Sequence, residues 1–305
     1  MNQRRVNRVA VAGGMNMDIG GTAGQALRLR DSNPGRVSLR PGGVGRNIAH
    51  DLRLLGLEVS LVSAVGDDPF GRELLTSCEA AGLDLSMTLV RPRERSSTYL
   101  YVNDDGGDML LAVSDMEITD RISPEALAPL MDRLEGYDAA VLDANLSRPA
   151  LQFLAEGLRI PLYADTVSAA KAPRLLPVLP RLTALKANRL EAEALTGESD
   201  PERAARALLG AGVRRVLLSL GEEGALAGEG ERLLRLPCVP TRVLNTTGAG
   251  DAATAALVWA GVMGLDLERS ARAALLAGSL TAGCREVNDP RLRELPGELG
   301  IRKEG

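Results

Sequence analysis

Aromatic side chains are nearly missing: two Phe, four Tyr and one Trp make up 2% of 305 residues. Without rings there are no platforms for stacking successive bases, and a net charge of −4 offers nothing to a phosphate backbone. Nucleic acid is excluded as a partner. The one histidine, His50, falls in an expected helix, and Cys78, Cys238 and Cys284 stand far apart with no CxxC spacing. The cysteines read as reduced structural thiols, and these counts leave no zinc constellation and, unless His50 serves, no histidine-based nucleophile. No apolar run approaches the ~20 residues that span a bilayer, so no membrane partner is expected. The opening MNQRRVNRVAVAGG is basic and then strand-like, with too short an apolar stretch for a signal sequence. The expected location is the cytoplasm. Chemistry is left to carboxylates, lysines, backbone amides and a borrowed metal.

What the chain has is aliphatic. Hydrophobic residues reach 45%, mostly Leu, Val and Ala, and short apolar runs alternate with amphipathic stretches. That alternation predicts an α/β fold, a doubly wound sheet with helices on both faces. Strands are expected at 9–12, 59–64, 139–142, 161–164, 184–186 and 215–220. Helices are expected at 46–55, 71–81, 124–134, 149–158, 189–195, 201–209, 250–262 and 267–282. Ser123-Pro124 and Asp200-Pro201 are helix-entry signals. Two regions break the alternation: glycine-rich 15–41, and 98–113, which alternates across Asn103-Asp104-Asp105-Gly106-Gly107, a hairpin signal. The expectation is one domain over 1–305 with a small β-sheet lid formed by insertions at about 15–41 and 96–114.

The most informative segment is NTTGAGDA, Asn245 to Ala252. Gly248, Ala249 and Gly250 let backbone N–H groups turn toward an anion, and the helix that follows adds its partial positive charge. A carboxylate beside a phosphate is costly unless it works, and Asp251 is placed to take a proton from an alcohol attacking phosphorus. This reads as an ATP-dependent kinase of a small hydroxylated substrate; a glycine turn capping a core helix is the structural alternative. Asn16 and Asp18 follow the first strand and could bond vicinal hydroxyls, or merely hold a turn. Gly42, Gly43, Arg46 and Asn47 open a helix where a ligand could approach the backbone; they lack the lysine of a GxxxxGK[ST] loop, and a plain glycine turn reads equally well. Lys186, Asn188 and Glu191 run from strand to helix. Asn188 and Glu191 fit either a capping box or a phosphate and water-bridged Mg²⁺ role. Ser219, Gly221 and Gly224 end a late strand where a nucleotide could lie close, with Thr247 in the anion turn. Gly13-Gly14 lacks the GxGxxG spacing of a dinucleotide oxidoreductase.

Together these motifs resemble the ribokinase-like (PfkB) family of carbohydrate and nucleoside kinases over nearly the whole chain. GGVGRNIA (42–49) looks like its first signature, NTTGAGDA its second, and LKANRLEAE (185–193) its Asn-x-x-Glu element. The resemblance implies ATP and Mg²⁺, Asp251 as catalytic base, Ala249 to Asp251 as anion hole, Asn188 and Glu191 near the Mg²⁺–phosphate region, and Asp18 and Asn47 holding the ribose-like part. It also implies a homodimer paired through lids. DSNPGRVSLRPGGVGRNIA (31–49), NMDI, SAVGDD, SDMEI and ADTVSAAK are similar to members that phosphorylate the 5′-hydroxyl of pseudouridine. On that likeness Ser96, Thr98 and Ser114 could face the base, with Asp143, Asn145 and Lys171 as further candidates. Asn245 stands where the family usually has an acid associated with a monovalent cation; a neutral amide attracts K⁺ less, so activation by K⁺ stays open. Ala187 replaces a common proline. Another sugar or nucleoside kinase, or a non-catalytic binding protein on the same fold, remain as alternatives.

Overall fold

The computed structural model describes residues 7–104 and 109–300. Its main sheet has eight strands. β1 (Arg8–Ala12) lies between β4 (Glu58–Val62) and β9 (Ala139–Asp143), followed by β10 (Leu162–Asp165), β11 (Ala184–Asn188) and β12 (Arg215–Ser219), all parallel. These strands are short apolar runs because helices cover both faces and nearly every side chain is buried. An antiparallel hairpin, β13 (Ala225–Glu229) and β14 (Arg232–Leu236), closes one edge.

A second sheet of four strands stands apart, ordered β3 (Gly35–Gly42), β2 (Asn16–Ala23), β7 (Thr98–Asn103), β8 (Met109–Asp115). Residues 105–107 of the expected hairpin turn lie outside the described residues. Two short strands, β5 (Ala64–Gly66) and β6 (Leu89–Arg91), pair separately.

One face of the main sheet carries Val9, Val11, Val141 and Tyr163 and packs against α1 (Val44–Leu54), α8 (Ala249–Val262) and α9 (Leu267–Ala282). The other carries Ala10, Leu142, Leu185 and Leu218 and packs against α5 (Arg148–Gly157), α6 (Arg189–Thr196) and α7 (Pro201–Gly210). Helix α2 (Pro69–Ala80) flanks β5, and α10 (Leu295–Glu298) lies against α9. Every residue of α8 from Ala252 to Ala260 is buried, Trp259 among them, so this helix is apolar all round.

Four differences from the expected elements have local causes. The helix expected at 124–134 is split into α3 (Pro124–Leu127), a 3₁₀ turn Ala128–Leu130 and α4 (Met131–Glu135), because Pro129 brings no N–H to the turn. The strand expected at 59–64 stops at Val62: the Ser63 hydroxyl donates to Gly13 O at 2.7 Å, and the chain leaves for β5. A 3₁₀ stretch Ala172–Arg181, with Pro177 and Pro180 inside, was not anticipated, nor was the β13–β14 hairpin.

Helix α1 is seated by backbone contact. A Cβ on Gly45 would fall 2.8 Å from the carbonyl carbon of Gly13, in the turn after β1. Gly45→Ala should therefore force α1 outward and cost roughly 1–3 kcal/mol, read as a lower Tm in a thermal melt. A variant melting with the parent would show that this contact is slack.

Candidate active site

Three strands deliver one row of charge. Asp143, Asp165 and Lys186 are register partners across β9, β10 and β11, so their side chains point to the same face, toward α8. Lys186 Nζ lies 3.6 Å from Asp165 Oδ2, and both groups are buried. Thr254 of α8 donates to Asp165 Oδ2 at 2.5 Å, and Val167 N–H donates to the other oxygen at 2.8 Å. Asp143 accepts from the N–H groups of Gly14 and Asn145, each at 2.8 Å, and from Asn145 Nδ2 at 3.1 Å. Burial raises the Asp143 pKa. Burial alone would lower Lys186, but Asp165, Glu191 and Asp251 outweigh it and the net shift is upward.

The N-terminus of α8 meets this row. Gly248 has φ 84°, a left-handed conformation, and a Cβ there would fall 2.5 Å from Val287 O, so only glycine fits. Ala249 N–H reaches back to Thr246 O at 3.3 Å. Among the described residues, the N–H groups of Gly250 and Asp251 have no protein acceptor. Lys186 Nζ lies so close over Gly250 that a Cβ there would stand 2.8 Å from it. Two free amides, the helix dipole and an ammonium thus converge on one spot, which suits an anion.

Asp251 is half-buried beside that spot. Asn47 Nδ2 donates to its Oδ2 at 2.8 Å. Its pKa is pushed up to about 7: burial raises it most and Asp165 adds, while the Asn47 hydrogen bond and Lys186 oppose, and Asp143 raises it further. A carboxyl poised near neutrality suits proton transfer.

The remaining candidates divide by position. Asn16 Nδ2 donates to Asp18 Oδ1 at 2.6 Å, and burial raises the Asp18 pKa. Gly42 lies hard against the Asp18 carboxylate, and Gly43 has φ 100° with its α-carbon against the Gly14 carbonyl. Arg46 is buried and turned to Asn47, Ser77 and Asn288 rather than to open space. The Ser96 hydroxyl is taken up by Asp68 at 2.7 Å and Gly66 N–H at 3.0 Å, which holds the turn into the small sheet. Thr98 opens β7, and Ser114 is exposed on β8. Lys171 Nζ donates to Asn145 Oδ1 at 2.6 Å; burial lowers its pKa.

On the other side of α8 a cleft of about 610 Å³ is lined by Ser219, Gly221, Gly224, Val239, Gly250 and Gly278. Thr246 also lines it, whereas Thr247 is exposed, its N–H bonded to Asn245 Oδ1 at 3.0 Å. The cleft wall is mainly apolar with free amides at one end, which fits a nucleotide. The capping box is formed: Asn188 accepts Glu191 N–H at 2.9 Å and Glu191 accepts Asn188 N–H at 2.8 Å, with Thr166 donating to the same carboxylate oxygen at 2.6 Å. No cluster of three or more His, Cys, Asp or Glu among the described residues could hold a metal on its own.

Asp165, Thr254 and Asn288 were not singled out by their spacing. Asp165 directly follows the strand expected at 161–164 and so carried a usable signal. Nothing near Asn288 marks it, since it acts 241 residues away from Asn47.

The raised pKa of Asp251 has a stability consequence. Between its ordinary 3.8 and about 7 the folded chain holds a proton the unfolded chain releases, so this group's contribution falls as pH rises through that window. Asp251→Asn cannot ionise, so its Tm relative to the parent should be higher at pH 8 than at pH 5. Calorimetry giving the same difference at both pH values would contradict this.

The family model for pfkB family carbohydrate kinase matches residues 6–294. A pseudouridine kinase of Escherichia coli (strain K12) is 37% identical over 297 residues, covering 95% of each chain. An uncharacterized sugar kinase of the same organism is 33% identical, covering 92% of this chain and 80% of its own. The structure of Arabidopsis thaliana ribokinase complexed with ribose and ATP superposes with a TM-score of 0.86 at 21% identity, covering 97% of this chain and 99% of the other, a likeness of fold. With the model running from strand β1 to the residues before α10, the chain belongs to the pfkB family of carbohydrate kinases, and its reaction is phosphoryl transfer to a sugar or nucleoside.

Proposed function

We propose that the protein phosphorylates the 5′-hydroxyl of pseudouridine, using ATP and Mg²⁺. The single observation that carries this reading is the 37% identity, over 95% of both chains, to a pseudouridine kinase.

The geometry is consistent with that chemistry. Asp251 takes the proton of the acceptor hydroxyl, held in place by Asn47 on one oxygen. The amides of Gly250 and Asp251, with Lys186 Nζ over Gly250, face the charge that builds on the transferring group. ATP, when bound, supplies the γ-phosphoryl and its Mg²⁺ neutralises part of the charge. Ser219, Gly221 and Gly224 would hold the nucleotide in the cleft, and Lys186 and Asn188 stand at its phosphate end. Asn16 and Asp18 would hold ribose hydroxyls.

The small sheet serves as the lid. Asp18 is paired in register with Arg40 and Tyr99, and Gly20 with Tyr101, so these side chains share the face that carries Asp18. In a chain with four tyrosines, two on this face supply flat surface for a base. The opposite face carries Ile19, Leu39, Leu100 and Val113, with Val37 and Leu111 beside them, and most of these are exposed. A second copy of the chain, pairing lid to lid, would cover it.

Three measurements test the reading. Asp251→Asn should fold, bind ATP and lose ~10²-fold or more in kcat; near-full turnover would remove the mechanism. In a panel of pseudouridine, uridine, ribose and fructose, pseudouridine should give the highest kcat/KM. Its base offers an N–H where uridine has carbon, so uridine should fall behind by ~10²-fold or more, because a partner in the site is left unpaired. Equal use of uridine or ribose would transfer the assignment to another sugar or nucleoside. By analytical ultracentrifugation the parent should sediment as a dimer and the Leu39→Lys, Val113→Lys double variant as a monomer; a monomeric parent would end the dimer proposal.

A further inference from the structure

The first turn of α1 contains a buried guanidinium with no place in the mechanism above. Arg46 Nη1 donates to Asn47 Oδ1 at 3.0 Å and to Asn288 Oδ1 at 2.7 Å, and Nη2 donates to Ser77 Oγ at 3.2 Å. Asn288 comes from the loop after α9 and returns to α1, its Nδ2 donating to Asp51 Oδ1 at 2.8 Å and to Asn47 O at 3.2 Å. The neighbouring Val287 carbonyl packs on Gly248, at the turn that opens α8. One loop therefore fixes both the helix that carries Asn47 and the turn that carries Asp251.

We infer that Arg46, held by Asn288, is a positioning residue for the catalytic base, acting through the Asn47 side-chain amide. The argument is one of donors and acceptors. An asparagine amide has an oxygen end and an NH₂ end, and either could face a neighbour. A guanidinium can only donate, so Arg46 captures the oxygen end of Asn47. The NH₂ end is thereby turned to Asp251, where it donates to Oδ2 and leaves Oδ1 for the acceptor proton. Without Arg46 the amide is free to present its oxygen to a carboxylate, and the base loses both its aim and the donor that favours its charged form.

Other charges face Asp251. Asp143 and Asp165 come from β9 and β10, Lys186 from β11, and Asp51 from α1; of these Asp51 feels Arg46 directly, and losing that cation holds its buried carboxyl more firmly in the neutral form. Removing the Asn47 donor makes ionisation harder, so the acid limb of the activity profile moves to higher pH. The direction follows from the sign: the base works ionised, and a raised pKa demands a higher pH for the same ionised fraction.

This inference rests on Asp251 being the base, and the experiment separates the two. Phosphoryl transfer to pseudouridine is followed from pH 5 to 9 for the parent, Arg46→Gln, Arg46→Lys, Asn288→Ala, Ser77→Ala and Asp251→Asn, each checked for folding by thermal melt. Arg46→Gln should lose ~10-fold in kcat with the acceptor KM within ~2-fold, and its acid limb should rise by ~0.5–1 pH unit. Arg46→Lys keeps the charge but cannot hold two amide oxygens at fixed angles, so it should show the same direction of shift. Asn288→Ala should shift the limb less, and Ser77→Ala should leave it in place. A folded Arg46→Gln with parental kcat and acid limb, or one whose whole defect is in KM, overturns the positioning role. Should Arg46→Gln not fold, a parental profile in Asn288→Ala overturns it equally. Near-full activity in Asp251→Asn would instead remove the base itself.

Discussion

A single buried ammonium, Lys186, is set against the carboxylates of Asp165 and Asp251, with Asp143 beside them. Charges held away from water are tolerable only when each is paired or hydrogen-bonded, and the surrounding structure supplies those partners. Asp143 is met by two backbone amides and Asn145, and Asp165 by Thr254 and Val167. Asp251 is the least provided for of the three: it has one donor, from Asn47, and like-charged neighbours in Asp165 and Asp143. Burial first, then Asp165 and Asp143, outweigh that one donor and Lys186 and leave it able to accept a proton near neutrality. The same balance explains the composition of α8, whose small residues let its N-terminus approach the ends of the strands.

Two half-sites meet at that carboxylate. One is built from β2, the end of β3 and the first turn of α1, and is rich in hydroxyl-binding groups. The other is the cleft between the β12–β13 turn and α8–α9, apolar along its wall and amide-lined at its inner end. On the proposed reading, the helix that joins them contributes the proton acceptor to the first and the anion-binding turn to the second. On the same reading, the small sheet beside the first half-site keeps water from the acceptor hydroxyl, while the second half-site stays open to the nucleotide.

Most of this frame was legible in the chain. Strands buried on both faces give short apolar runs, and helix entries such as Ser123-Pro124 and Asp200-Pro201 hydrogen-bond as caps where expected. What could not be read was where long side chains turn. Arg46 lies inside a ligand-like motif, yet its partners Ser77 and Asn288 come from elements 31 and 242 residues away. Ser96 looked available on the small sheet, but Asp68 claims its hydroxyl. The Asn188–Glu191 pair was readable in two ways, and the cap is the one the structure forms in full. The β13–β14 hairpin escaped notice because LLRL and ALAGE are too brief, and too similar to core segments, to declare an edge.

The scarcity of aromatic residues has one further consequence. The only tryptophan, Trp259, is sealed within α8 two turns beyond Asp251. Its indole is therefore the chain's single indole emitter, reporting from within the helix that carries Asp251. Changes in its emission on adding nucleotide or nucleoside will register strain in that one element, unblurred by any second emitter of its kind.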